Sequence, residues 1–108
     1  MAYSPLPLFV GVLPSSATTL YTVPGSGAIV IVKEVLLVNT GIADRQCTIW
    51  FVPSGGSAGN GNAIAFNVTV PVGNPLVLPL SSALAAGDFI EGVGSNNVSA
   101  RISGVLGP

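Results

Sequence analysis

Turn-forming residues interrupt this chain so often that it can build only short elements. Fourteen glycines and nine prolines are spread through 108 residues. Proline removes a backbone donor and glycine admits left-handed bends, so each cluster of them marks a turn. The segments between the turns are rich in Val, Ile and Thr, which is strand composition. They predict about eight strands, over residues 8–13, 19–23, 28–39, 46–53, 63–70, 76–80, 88–94 and 97–106.

Alternation with a period of two supports several of these. In the fourth segment Cys47, Ile49 and Phe51 share one face, and Thr48, Trp50 and Val52 the other. In the fifth, Ile64, Phe66, Val68 and Val70 form an apolar face opposite Ala65, Asn67 and Thr69. In the last, Val98, Ala100 and Ile102 face inward and Ser99, Arg101 and Ser103 outward. Such strands have one wet face. The third segment is apolar on both sides except at Lys33 and Glu34, so it is expected to be buried on both faces near its ends. Residues 81–87 (Ser-Ser-Ala-Leu-Ala-Ala-Gly) offer a capping serine, helix formers and a terminating glycine, and predict one or two helical turns. The run at 54–62 reads as a flexible surface loop. Eight short strands with spaced turns indicate an all-β, antiparallel β-sandwich of jelly-roll type, with a small barrel as the alternative.

The surface such a fold could carry is unusual. Only 6% of residues are charged and 49% are hydrophobic, against roughly a quarter charged in an ordinary domain. A chain with so few charges is expected to cover much of its surface with other subunits. Mean hydropathy is high, at +0.74. Yet the longest apolar stretch, residues 28–38, is broken by Lys33 and Glu34, and a membrane helix needs about 20 apolar residues. No membrane partner is expected. Pro5 and Pro7 stand where a signal peptide would have its basic and apolar regions, so synthesis in a cytosol without general export is expected. A formal net charge of −1 gives no electrostatic footprint for nucleic acid.

Catalytic chemistry finds little to use. The chain has no histidine, which removes Ser-His-Asp and Cys-His arrangements. The acids are Glu34, Asp44, Asp88 and Glu91, read as solvated turn residues, although Asp88 could meet Asp44 across the fold. The glycines at 55–59 lack the lysine and following helix of a phosphate loop. Cys47, the single cysteine, reads as a small buried hydrophobe. No catalytic residue, cofactor or metal is expected.

Four phrases occur in order: Thr19-Leu20-Tyr21-Thr22-Val23-Pro24-Gly25, Val35-Leu36-Leu37-Val38-Asn39-Thr40-Gly41, Trp50-Phe51-Val52-Pro53-Ser54-Gly55-Gly56 and Leu84-Ala85-Ala86-Gly87-Asp88-Phe89-Ile90. With them the chain resembles the small β-sandwich accessory virion proteins of tailed bacteriophages, over roughly residues 18–106. The resemblance implies a structural protein of the virion, made in the host cytoplasm: a capsid decoration or cement protein bound to the major capsid protein or other virion proteins. It equally admits a tail, baseplate or host-recognition module, the last binding carbohydrate. It implies a homo-oligomer, a trimer by preference.

Two units are expected, an apolar proline-containing N-terminal arm at 1–17 and a single sandwich domain at 18–108. The arm has two possible fates, lying on its own sandwich or on a neighbouring subunit. The interface candidates are Leu6, Leu8 and Phe9 on the arm, Lys33 and Glu34 on opposite faces of the third strand, and Trp50 on the fourth. Contacts of this apolar kind would hold at any ionic strength.

Overall fold

A computed structural model describes residues 4–25, 29–94 and 97–107. Eight strands run in order: β1 (Ser4–Val12), β2 (Thr18–Thr22), β3 (Ile29–Asn39), β4 (Arg45–Val52), β5 (Ala63–Val70), β6 (Leu76–Leu84), β7 (Phe89–Val93) and β8 (Val98–Gly107). They form two four-stranded antiparallel sheets, ordered β1-β8-β3-β6 and β2-β7-β4-β5. Successive strands mostly cross from one sheet to the other, which makes the sandwich a jelly roll. Among the described residues the only helical piece is a 3-10 turn at Asn60–Asn62. The expected start of the third strand at Ala28 and the first three residues of the arm lie outside the described residues.

The core is the space between the sheets. Val30, Val32, Val35 and Leu37 of β3, Ile49 of β4, Ile90 of β7 and Val98 and Ile102 of β8 are fully buried there. The inward set on β3 changes phase, from even to odd numbers, at Lys33. Val32 pairs with Gly104 and Glu34 with Ser103, so Lys33 is an extra residue, a β-bulge. The bulge turns both Lys33 and Glu34 outward; they do not occupy opposite faces. A second bulge lies almost level with it across β8. Pro7 pairs with Ser103 and Phe9 with Ile102, leaving Leu8 extra. Between them Gly104 packs so closely on β3 that a Cβ there would run into the Ile31 carbonyl.

The N-terminal segment expected as an arm contributes β1 to its own sandwich, hydrogen-bonded to β8 along its length. Prolines are tolerated there because β1 is an edge strand, with one side needing no donors. Leu8 is buried in the core and the partly buried Phe9 packs against it, so both serve the chain's own interior. The helical turns expected at 81–87 are absent. β6 continues to Leu84, with Ser82, Ala83 and Leu84 paired to Val32, Ile31 and Val30. A seven-residue segment cannot offset helix nucleation, and the ladder to β3 wins. Phe66 is also misplaced by simple alternation. A bulge at Asn67, held at φ 47°, shifts β5 by one residue, so that Ala65 turns inward and Phe66 is exposed. Thr48 fixes this bulge: its Oγ1 donates to Asn67 Oδ1 at 3.2 Å and accepts from Asn67 N at 3.0 Å.

Candidate functional site

The outer face of the β1-β8-β3-β6 sheet is the most distinctive surface. The two bulges decide what it displays. Beyond the bulge in β1, Val10 and Val12 point outward, 62% and 53% exposed. On β3, Leu36 and Val38 are half-buried on the same side, and on β6 Val77 is 47% exposed. The third strand is therefore buried on its core side only; its other side waits half-open. Between β1 and β3, Val10, Gly11, Val12, Leu36, Val38, Ser99, Ala100 and Arg101 line an open groove of about 320 Å³.

Three charges share this face. Arg101 sits in register with Val10 on one side and Leu36 on the other, and makes no ion pair among the described residues. The Lys33 ammonium donates to Ser81 Oγ at 3.2 Å, and Glu34 is exposed opposite Pro79. Trp50 is half-buried on the outer face of the other sheet, in register with Glu91 and Ala63. The structure thus brings Lys33 and Glu34 together and leaves Trp50 on the far side of the sandwich. For Leu6 the backbone pairs with Gly104.

The free sheet edges are unsuited to recruiting another strand. β1 carries Pro5 and Pro7, and β6 carries Pro79. β5 is kinked at Asn67, and β2 has only five residues. These are the devices that block edge-to-edge pairing, so faces and loops are what the molecule offers.

Two of the acids are used structurally. Asp44 Oδ1 accepts from Val72 N at 3.1 Å. Asp88 accepts from Ser54 N and Ala85 N, both at 2.9 Å. The two acids tie separate loops and do not meet. Burial pushes the Cys47 thiol up to about 11 from its ordinary 9.0, which keeps it an unreactive neutral group. No cluster of three potential metal ligands occurs among the described residues.

A turn after the third strand is expected at Asn39-Thr40-Gly41, but not the exposed aliphatic side chain that its loop carries. Ile42, at the tip of residues 40–44, is 97% exposed. The loop that carries it is pinned on both sides. Buried Asn39 donates through Nδ2 to Ala43 O at 2.7 Å and to Val70 O at 2.9 Å, while its Oδ1 accepts from Gly41 N at 2.9 Å. Thr40 donates to Asn97 O from both its N, at 2.7 Å, and its Oγ1, at 3.0 Å. Asn39 thereby joins the end of one sheet to the end of the other. The sequence signal for the face was the run of apolar residues at outward positions of β3; nothing in the pattern marked Ile42.

No protein-family model matches the chain, and no curated protein matches it. Among solved structures it is similar to a chain in the structure of the Gx strain of infectious bursal disease virus, with TM-score 0.53 and 15% identity over 97% of this chain and 31% of that one. It is similar also to chains in T=1 particles derived from that virus (TM-score 0.55, 14% identity, 97% and 31% covered). A third similarity is to a chain of the T13 particle (TM-score 0.55, 13% identity, 97% and 30% covered). The likeness is one of fold. This chain spans about a third of the length of the chains it matches, so it corresponds to a single sandwich within them.

Proposed function

We propose that the protein is a structural component of a tailed-bacteriophage virion, acting as a capsid decoration or cement protein. The observation that carries this reading is the jelly-roll likeness, over 97% of the chain, to chains of virus particles. The tailed-phage assignment rests on the sequence phrases, and the outer face of the β1-β8-β3-β6 sheet supports a docking role. Its work is mechanical. Apolar area on that face is buried across neighbouring shell subunits, at about 25 cal/mol per Å² removed from water. A standard interface of about 1,600 Å² then resists separation of the subunits under internal pressure. Lys33 and Glu34 flank the contact and set its register, and they contribute little energy.

The competing placement is a tail, baseplate or host-recognition part, for which Trp50 would be the natural carbohydrate platform. Copy number separates the two. Absolute quantification by mass spectrometry of purified virions is expected to give a copy number comparable to that of the major shell subunit. A handful of copies per particle would assign the chain to the tail, and its absence from virions would overturn the reading altogether.

A further inference from the structure

Two features of this chain are left unmatched within one molecule. One is the apolar groove between β1 and β3, lined by Val10, Val12, Leu36 and Val38 and also by Arg101. The other is Ile42, almost fully exposed on the loop at residues 40–44. An isolated exposed aliphatic side chain is ordinary. This one differs because its loop is held by hydrogen bonds from Asn39, to Asn97 and between Asp44 and Val72. A tip fixed in advance loses little freedom on binding.

We propose that the protein self-associates by seating Ile42 of one copy in the β1–β3 groove of a second copy. The groove, at about 320 Å³, exceeds the roughly 150 Å³ cavity that holds a benzene molecule, so one isoleucine side chain fits with room for its flanks. Charge favours the same seating. Asp44 stands two residues from the tip and Arg101 lines the groove, and neither has an ion-pair partner in its own chain among the described residues. Strand addition is disfavoured at the β1 and β6 edges by Pro5, Pro7 and Pro79, which leaves faces and loops for contact between copies. The groove and the tip lie at the same end of the sandwich, where β3 leaves Val38 and enters the loop. This inference rests on the virion reading and divides the face: the β1–β3 groove joins copies, which leaves the β6 side, with Val77 exposed, for the shell.

The test is sedimentation equilibrium on the full chain and on two variants, Ile42→Asp and Val12→Asp. Both positions are exposed, so both variants keep the wild-type circular dichroism, and its melting temperature at concentrations where the wild type is monomeric. Each is expected to weaken self-association about tenfold to hundredfold, the equivalent of burying one aliphatic side chain. Mixed together they are expected to form a 1:1 complex tighter than either forms alone, because Val12→Asp still offers a tip and Ile42→Asp still offers a groove. A wild-type protein that stays monomeric, variants that associate as well as wild type, or a mixture that gains nothing would each overturn the proposal. A monomeric result would leave the virion reading standing, since a monomer can bind a shell. A self-associating chain absent from virions would sink that reading and leave this one.

Discussion

Replacing Asn39 with alanine isolates the clasp that holds the two sheets and the exposed loop together. Three hydrogen bonds disappear: to Ala43 O, to Val70 O and from Gly41 N. They are not equal. Val70 is fully buried, so its carbonyl is left dry, at about 1–3 kcal/mol. Ala43 is exposed and Gly41 half-exposed, so water replaces those partners and each loss costs about 0.5–1.5 kcal/mol. The sum is about 2–6 kcal/mol, which for a domain of this size lowers the melting temperature by at least roughly 10 °C. Asn39→Asp keeps the acceptor for Gly41 N but loses both donors and faces two carbonyls with a carboxylate, so it is expected to cost at least as much. Urea unfolding followed by far-UV circular dichroism, at fixed protein concentration, measures both. A loss below about 1 kcal/mol for Asn39→Ala would refute the clasp, and with it the argument that Ile42 is held in advance.

Leu8→Ala is expected to cost about 2–5 kcal/mol because Leu8 is a core residue, whereas Lys33→Ala is expected to stay within about 0.5 kcal/mol, a solvent-facing change; urea unfolding of the pair checks that β1 belongs to its own sandwich. Gly104→Ala drives a methyl group into the Ile31 carbonyl and is expected to cost about 3 kcal/mol or more, with soluble yield and melting temperature as the readouts. The Cys47 thiol is raised to about 11 in the folded state from 9.0, so the folded chain holds that proton more tightly than the unfolded one. Stability from this group is constant below about pH 9 and falls as pH rises towards 11, by about 2–3 kcal/mol. Cys47→Ala is expected to flatten that part of the pH–stability curve, and an unchanged alkaline slope would count against the burial argument.

Much of the sandwich was legible because its strands obey a simple rule. Cys47, Ile49 and Phe51 share one face as their sequence pattern says, and it is the core face; Val98, Ala100 and Ile102 point inward as expected. The rule breaks where a bulge inserts a residue. Lys33, Leu8 and Asn67 each shift the phase by one, and the consequences are an outward Glu34, an inward Leu8 and an exposed Phe66. No local signal announces such a shift, because it depends on what the neighbouring strand can accommodate, as with Gly104 beside Ile31. The helical reading of residues 81–87 failed for a related reason: capping serine and alanines are local preferences, while Ser82–Leu84 have partners on β3. Of the interface candidates, Lys33 and Glu34 do lie on the apolar outer face. The groove beside them, between β1 and β3, comes from residues far apart in sequence and could be assembled only by the fold.

As proposed above, this chain docks on a virion shell through an apolar face with few charges. The most direct test is its binding to virions purified from a phage deleted for its gene, measured from about 0.05 to 0.5 M salt, a range over which the Debye length shrinks severalfold. The account predicts saturation near one chain per shell subunit or per fixed cluster of them, with a dissociation constant that changes less than about twofold across that range. Failure to bind the particles, or binding that weakens tenfold or more as salt rises, would contradict it.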